Sequence, residues 1–388
     1  MSQESNINGK RGALTVKKMI GTGTKAVATA VKCANVDVVP GYPITPQTSI
    51  MEYISEMCDS GEMNAKFIPV EGEHSAMAAA VAASATGARV FTASSSQGLL
   101  YMHEVLHMAA GGRMPIVMVN VNRGVFAPWI LYADHSDTMA QRDTGWLQLH
   151  CASIQEIFNT TLQAFYIAEK VNIPTMVCFD GFTLSHCTMA FDVPTQKQIN
   201  QFLPARDVDW FLDVKHPSSF SNISSVDAYV DLRKQLHEDT LKAIDVVKEA
   251  ASRYSDITGM CNGDTIECYR MEDAETVVFA MGSLADELHL SIDRLRANGM
   301  KVGLLRLRLF RPFPKEDIMA VLPENSKVVV IDKAYAYGTD GGALYQELKS
   351  ALYGERSDVE IYDKVMGIGG QDVTWETMAD AISETVEG

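Results

Sequence analysis

What most limits the fold of this chain is a regular alternation, from about residue 15 to 185, of helical stretches with short apolar runs. Thr24 to Ala34 has helical periodicity and Val36 to Pro40 reads as a strand. Lys66 to Val70, Arg89 to Ala93, Pro115 to Val121 and Thr175 to Asp180 read as further strands, with helices predicted at Glu73 to Ala85 and Ser153 to Lys170. Strands too apolar to leave one face in water, separated by helices long enough to serve as crossovers, predict a doubly wound parallel α/β sheet. Ligands on such sheets collect at the carboxyl ends of the strands.

A polar stretch from about 188 to 225 interrupts this pattern. One long amphipathic helix then runs to about 254, with Tyr229, Leu232, Leu236, Leu241, Ile244 and Val247 as its apolar stripe, and reads as a connector. A second α/β unit follows, with strands at Thr276 to Met281, Lys301 to Leu307 and Val328 to Asp332 and helices at Leu284 to Ala297 and Gly342 to Tyr353. The expected division is a tail over 1–15, a first domain over 16–255 that includes the connector helix, and a second domain over 265–388.

Charge and cysteine usage remove several function classes. Acidic side chains number 49 against 33 basic ones, for a net charge of -16, and the basic residues form no run able to track a phosphate backbone. Nucleic acid is therefore not an expected partner. No run of eighteen apolar residues occurs, and MSQESNINGKRG lacks the apolar core of a secretory signal. The expectation is a soluble, cytoplasmic protein with no membrane partner. The 7 cysteines are scattered, odd in number and without C-x-x-C. That pattern supports neither a disulfide framework nor a metal cluster, and most are expected to be buried.

The most suggestive short motif is His103-Glu-Val-Leu-His107, the H-E-x-x-H pattern that puts two zinc ligands on one helical face and raises a zinc hydrolase as a reading from a different class. Its compact extension fails, because Ala110 stands where a glycine and Arg113 where a third histidine would be needed. A distant ligand such as Asp134 or His135 stays open, and simple helix packing is the competing reading. Gly338-Thr-Asp-Gly-Gly and Gly367-Ile-Gly-Gly lack the dinucleotide and P-loop fingerprints and read as turns or helix starts. Asn159 and Asn222 match a glycosylation pattern that an intracellular chain leaves inert.

Three strand ends carry chemistry. After the first strand, Pro43 and Pro46 stiffen the backbone around the Thr45 hydroxyl, or form only a rigid turn. After the second, Glu71 and Glu73 lie at a helix N-terminus, where acids also serve merely to favour the helix dipole. After the fourth, Arg123 can clamp a carboxylate bidentately or make a structural ion pair. All three ends face one crevice.

GYPITPQTSI, VEGEHSAM, VFTASSSQGLLYMHEVL, NVNRGVFAPWILYADHSDTMAQRDTGW and FDGFTLSH together resemble the alpha subunit of the 2-oxoacid:ferredoxin oxidoreductases, closest to the pyruvate type, and AMGSLADEL with VGLLRLRLFRPFP resembles its second domain. The resemblance implies a pyrimidine-type thiamine diphosphate-binding domain followed by a transketolase C-terminal-like α/β domain. It implies oxidative decarboxylation of a 2-oxoacid, pyruvate first, to an acyl-CoA and carbon dioxide, or the reverse, with electrons passed to ferredoxin or a similar acceptor. In that family the glutamate aligned with Glu71 hydrogen-bonds the aminopyrimidine of the cofactor, which helps it take the proton from the thiazolium carbon. The backbone near Pro43 borders the cofactor, and the positions of Thr45 and Arg123 bind the oxoacid. Magnesium ion and iron-sulfur (4Fe-4S) clusters are implied on beta-, gamma- and delta-type partner subunits, and coenzyme A as co-substrate. Phe126 departs from the run associated with pyruvate enzymes. It either reshapes the pocket toward a larger, branched-chain or aromatic 2-oxoacid such as phenylglyoxylate, or packs in a loop.

Overall fold

A computed structural model describes residues 16–208 and 210–387, so the expected tail over 1–15 lies outside the described residues. The chain opens with β1 (Val16–Gly21) and α1 (Gly23–Cys33), capped by the Thr22 hydroxyl accepting from the Lys25 amide. Next come β2 (Val38–Gly41), α2 (Thr48–Asp59), β3 (Lys66–Pro69), α3 (Glu73–Ala85) and β4 (Phe91–Ser94). These lead into α4 (Ser96–Tyr101), α5 (His103–Gly111), β5 (Val117–Asn122), α6 (Ser136–Met139), β6 (Leu147–His150), α7 (Ile154–Val171) and β7 (Thr175–Asp180). β8 (Met189–Pro194), α8 (Gln196–Phe202) and α9 (Val226–Thr258) complete the first unit.

β6, β7, β5 and β4 lie side by side in that order and run parallel, and a parallel bridge from Val38 to Val90 joins β2 and β3 to the β4 side. Every residue of β4, β5, β6 and β7 is buried, so these strands carry apolar runs instead of alternation. One apolar cluster covers each face: Val27, Ile54, Phe158 and Phe165 on one side, Met77, Leu106 and Val247 on the other. This is the expected doubly wound sheet.

The second unit contains β9 (Ile266–Tyr269), β10 (Thr276–Met281), α10 (Ser283–Ala297), β11 (Val302–Leu307), β12 (Leu309–Arg311) and α11 (Lys315–Val321). It ends with β13 (Lys327–Asp332), α12 (Ala343–Leu352), β14 (Glu360–Val365) and α13 (Trp375–Glu387). Its sheet has the order β14-β13-β10-β11-β9, parallel except for β9 at the edge.

Four details differ from the sequence expectation. β12 leaves its own sheet and pairs antiparallel with β6, so the two units share a strand across the boundary drawn between them. The polar stretch after 188 is not bare connector: β8 pairs with β1, and α8 starts with a Thr195–Gln198 capping box. The stripe of α9 is buried only in part, because Leu236 and Val247 pack inward while residues 221–235 are exposed, Tyr229 and Leu232 among them, and Leu241 lies further on, 48% exposed. Of the cysteines only Cys33, Cys151 and Cys178 are buried; all seven are free. No helix among the described residues is long and apolar enough to cross a membrane.

Two buried carboxylates of the first unit join it to the second. Glu156, on α7, accepts from Arg306 Nη1 at 2.8 Å, from Arg308 Nε at 2.5 Å and from the Ala152 amide at 2.8 Å. Asp180, at the end of β7, accepts from the Ser283 amide at 2.8 Å and hydroxyl at 2.5 Å, and lies 3.3 Å from Lys333 Nζ and 3.0 Å from His135 Nε2. Burial alone would push both carboxyls up. The adjacent cations outweigh it and hold Glu156 below its ordinary value and Asp180 well below its own.

Glu156→Gln leaves two buried guanidiniums without their counter-charge and is expected to cost about 3–5 kcal/mol, read as a lower denaturation midpoint. The folded-state pKa of Glu156 is depressed, so its contribution is present above the ordinary carboxylate value of 4.5 and is lost as pH falls through the lower folded value. The wild-type midpoint should therefore drop on acidification below that value, and the variant's should drop less. Equal slopes would remove Glu156 from the acid response.

Candidate active site

The crevice lies at the carboxyl ends of β2, β4 and β5. Thr45 follows β2 and Arg123 directly follows β5. Arg123 is 3% exposed, and its guanidinium is aimed by two carbonyls: Nη1 donates to Thr45 O at 2.7 Å and Nε donates to Ile130 O at 3.0 Å. Its Nη2 has no hydrogen-bond partner among the described residues, which leaves one edge of the fork for a ligand. Burial lowers the Arg123 pKa, but a guanidinium stays charged.

Arg123 lines a cavity of about 410 Å³ together with Ile44, Thr45, Gln97, Phe126, Trp129 and Leu131. The wall is mostly apolar, with Arg123 as its one cation. Such a lining suits a small anion that carries an apolar portion.

A carboxylate that the sequence reading passed over holds this corner together. Asp137, in the short helix α6, accepts from the amides of Ser96, Arg123 and Thr138 and from the side-chain amides of Asn120 and Asn122. It therefore ties the end of β4 to the end of β5. Burial pushes its carboxyl up to about 6, against the pull of those donors. The available signal was Asn120-Val-Asn122, two amides inside a strand otherwise fit only for the core.

The two glutamates after β3 separate cleanly. Glu71 is exposed; its carboxylate accepts from the Ser75 hydroxyl at 2.5 Å, one helical turn on, and that bond holds its pKa down. Glu73, the first residue of α3, is 8% exposed. A Cβ on Gly98 would stand 2.5 Å from Glu73 Oε1 and 2.7 Å from Ser94 Oγ, so glycine at 98 is what lets this carboxylate lie against the turn after β4. The structure thus brings Thr45 and Arg123 together, places Glu71 outside at the surface, and puts Glu73 inside. Pro43 faces neither: it lines a separate groove of about 900 Å³ with Tyr42, Met51 and Phe67.

The H-E-x-x-H residues are engaged otherwise. His103 Nδ1 lies 2.6 Å from Gln141 Oε1, the His103 and His107 rings meet edge to face at 5.0 Å, and Glu104 lies 3.5 Å from His74. Among the described residues no three His, Cys, Asp or Glu side chains are grouped to hold a metal ion.

Comparison with known proteins assigns this architecture. Residues 29–252 match the family model described as pyruvate flavodoxin/ferredoxin oxidoreductase, thiamine diphosphate-binding, and residues 274–378 match pyruvate:ferredoxin oxidoreductase core domain II. The chain is 41% identical over 366 residues to the pyruvate synthase subunit PorA of Methanothermobacter thermautotrophicus, covering 94% of each chain. It is 42% identical over 360 residues to the ketoisovalerate oxidoreductase subunit VorA of Pyrococcus horikoshii, covering 92% of this chain and 91% of the relative. Among solved structures, the 2-oxoglutarate:ferredoxin oxidoreductase of Magnetococcus marinus superposes with a TM-score of 0.71 at 19% identity, over 95% of this chain and 65% of that one. A split-gene transketolase superposes at 0.56 with 10% identity, over 94% and 98%. The fold is common to both, and with the two family matches and relatives above 40% identity over nearly its whole length, the chain belongs to the pyruvate:ferredoxin oxidoreductase family as an alpha subunit of the 2-oxoacid:ferredoxin oxidoreductase type.

Proposed function

We propose that this chain supplies the oxoacid clamp and the pyrimidine side of the thiamine diphosphate site in a multi-subunit cytoplasmic enzyme. That enzyme converts a 2-oxoacid and coenzyme A to an acyl-CoA and carbon dioxide, and delivers two electrons to ferredoxin or a similar acceptor. Beta-, gamma- and delta-type subunits supply magnesium ion and the iron-sulfur clusters. The observation that carries the reading is Arg123 presenting a free guanidinium edge beside Thr45 in a cavity that is otherwise mostly apolar. A 2-oxoacid is a carboxylate and a ketone on an apolar remainder, and this lining matches it group for group.

The crevice also fits the cofactor. Ser94 Oγ, Ser95 Oγ and Gln97 Oε1 are buried without hydrogen-bond partners among the described residues, and Ser94 Oγ shares the space around Gly98 with the Glu73 carboxylate. The polar edge of a heteroaromatic cofactor would supply the partners that these buried groups at the end of β4 lack. Thiamine diphosphate, when bound, supplies the acidic thiazolium carbon that no amino-acid side chain offers. The protein's part is to orient and to hold protons. Arg123 and the Thr45 segment fix the oxoacid carboxylate, Asp137 fixes the Arg123 backbone, and a buried glutamate keeps a proton at the aminopyrimidine edge. We assign that last role to Glu73 in preference to Glu71, because it is the carboxylate that is buried, at the helix start, against the turn after β4.

Pyruvate is the first substrate of this reading. The second is a larger apolar oxoacid, favoured by Phe126 on the cavity wall. Comparing kcat/KM for pyruvate, 2-oxoisovalerate and phenylglyoxylate in the assembled complex decides between them; a tenfold or larger advantage for either bulky acid would displace pyruvate. Arg123→Ala removes a charge-assisted hydrogen bond worth roughly 1.5–3 kcal/mol and should raise the oxoacid KM about 10- to 100-fold. An unchanged KM would take the clamp role from Arg123. Glu73→Gln should lower kcat about 100-fold or more, with Glu71→Gln staying within about threefold; the reverse order would restore Glu71 to the role.

A further inference from the structure

One glycine-rich motif is left over from the site: Gly367-Ile-Gly-Gly370, the turn between β14 and α13 of the second domain. Gly367, Gly369 and Gly370, on either side of Ile368, have φ of +71°, +59° and +82°, left-handed positions open to glycine and strained for other residues. The turn lies against the loop that follows Arg123. The Gly369 amide donates to Ala133 O at 3.0 Å, and a Cβ on Gly370 would stand 2.7 Å from Tyr132 Cγ. Two residues further along the loop, the His135 amide donates to Lys333 O at 3.0 Å, again across the domain boundary.

The same loop closes on Arg123 from its other side. Tyr132 O accepts from the Gly124 amide at 3.0 Å, and Ile130 O is the acceptor for Arg123 Nε at 3.0 Å. A Cβ on Gly124 would lie 2.6 Å from Ile130 Cγ2, so the loop is folded tightly back on its own start. Tyr132 thus belongs to the same short folded-back segment as Ile130, whose carbonyl aims the guanidinium.

We infer that the Gly367–Gly370 turn is a positioning element for oxoacid binding: the second domain, through Gly369 and Gly370, sets the loop that orients Arg123. The inference rests on the proposed role of Arg123 as the carboxylate clamp. It gives the second domain a part in substrate recognition although Gly367, Gly369 and Gly370 are absent from the lining of the cavity. It also accounts for the paired glycines, since the left-handed backbone at Gly369 carries its amide to Ala133 and Gly370 leaves room for the Tyr132 ring.

The test compares Gly370→Ala with Gly299→Ala in the assembled complex. Gly299 has the same left-handed backbone, φ +93°, with nothing within 4 Å of its Cβ position, and controls for backbone strain alone. Tyr132→Ala breaks the same contact from the loop side without touching the turn, and carries the test if Gly370→Ala does not fold. Two quantities are read: the oxoacid KM against kcat, and hydrogen exchange at the Gly124 amide. The expected result is a KM raised about tenfold with kcat within twofold, and faster Gly124 exchange, in Gly370→Ala and Tyr132→Ala but not in Gly299→Ala. Wild-type KM and exchange in both variants would overturn the inference. Faster exchange in both, in a complex whose wild type turns over no 2-oxoacid, would keep the positioning element and sink the functional reading instead.

Discussion

Asp180 is the residue on which the arrangement of this molecule turns. It sits at the last position of a fully buried strand, and its carboxylate is met by the first turn of α10, by Lys333 beyond β13 and by His135 from the loop after β5. A desolvated carboxylate with that many donors cannot shift without losing them all, and an unpaired buried charge is among the most costly defects a fold can carry. The carboxyl ends of the two sheets are thereby fixed facing each other. Glu156 does the same one strand away, with two arginines of the second domain on a single carboxylate, and β12 adds backbone pairing between them.

With the domains locked at those points, the loop from Gly124 to His135 has little freedom. It starts at Arg123, ends beside Asp180 and is touched by the second domain at Ala133 and at His135. The site is thus built on strand ends and held by a joint, an arrangement more exact than loops alone could give. The apolar rim, with Phe126 62% and Trp129 76% exposed, is the part that this network does not restrain.

The legible part of the fold was the part governed by periodicity. Long helices and fully buried strands such as Thr175–Asp180 carry their own signal, because every residue of the strand must be apolar or paired. β6 was missed because its Gln148 and His150 are buried in a strand of only four residues, too short for a pattern. β12 was missed because its pairing partner lies in the other domain, and long-range pairing leaves no local trace. In the site, Arg123 and Thr45 were readable as strand-end chemistry. The different burial of Glu71 and Glu73 was not, since both stand at the start of the same helix; it depends on the missing side chain at Gly98, in the helix after β4.

Two buried aspartates near the crevice show how one residue type acquires different behaviour from its partners. Asp180 loses its hydration to burial, but Lys333 beside it and the donors of His135 and Ser283 hold it ionised well below the usual range. Asp137 receives only N–H dipoles, which satisfy its oxygens but do not offset desolvation, and burial pushes it up to about 6. Its folded-state pKa exceeds the ordinary 3.8, so whatever stability it contributes is present below that value and is lost as pH rises through about 6. At neutral pH an ionised Asp137 therefore works against folding, by an amount on the order of 3 kcal/mol. Cation-backed joints such as Asp180 and Glu156 offset such a cost. The carboxylates at the domain boundary are thus held ionised by their partners, whereas the carboxyl beneath Arg123 is pushed toward the neutral form by burial, an opposite setting for the same residue type at a functional site.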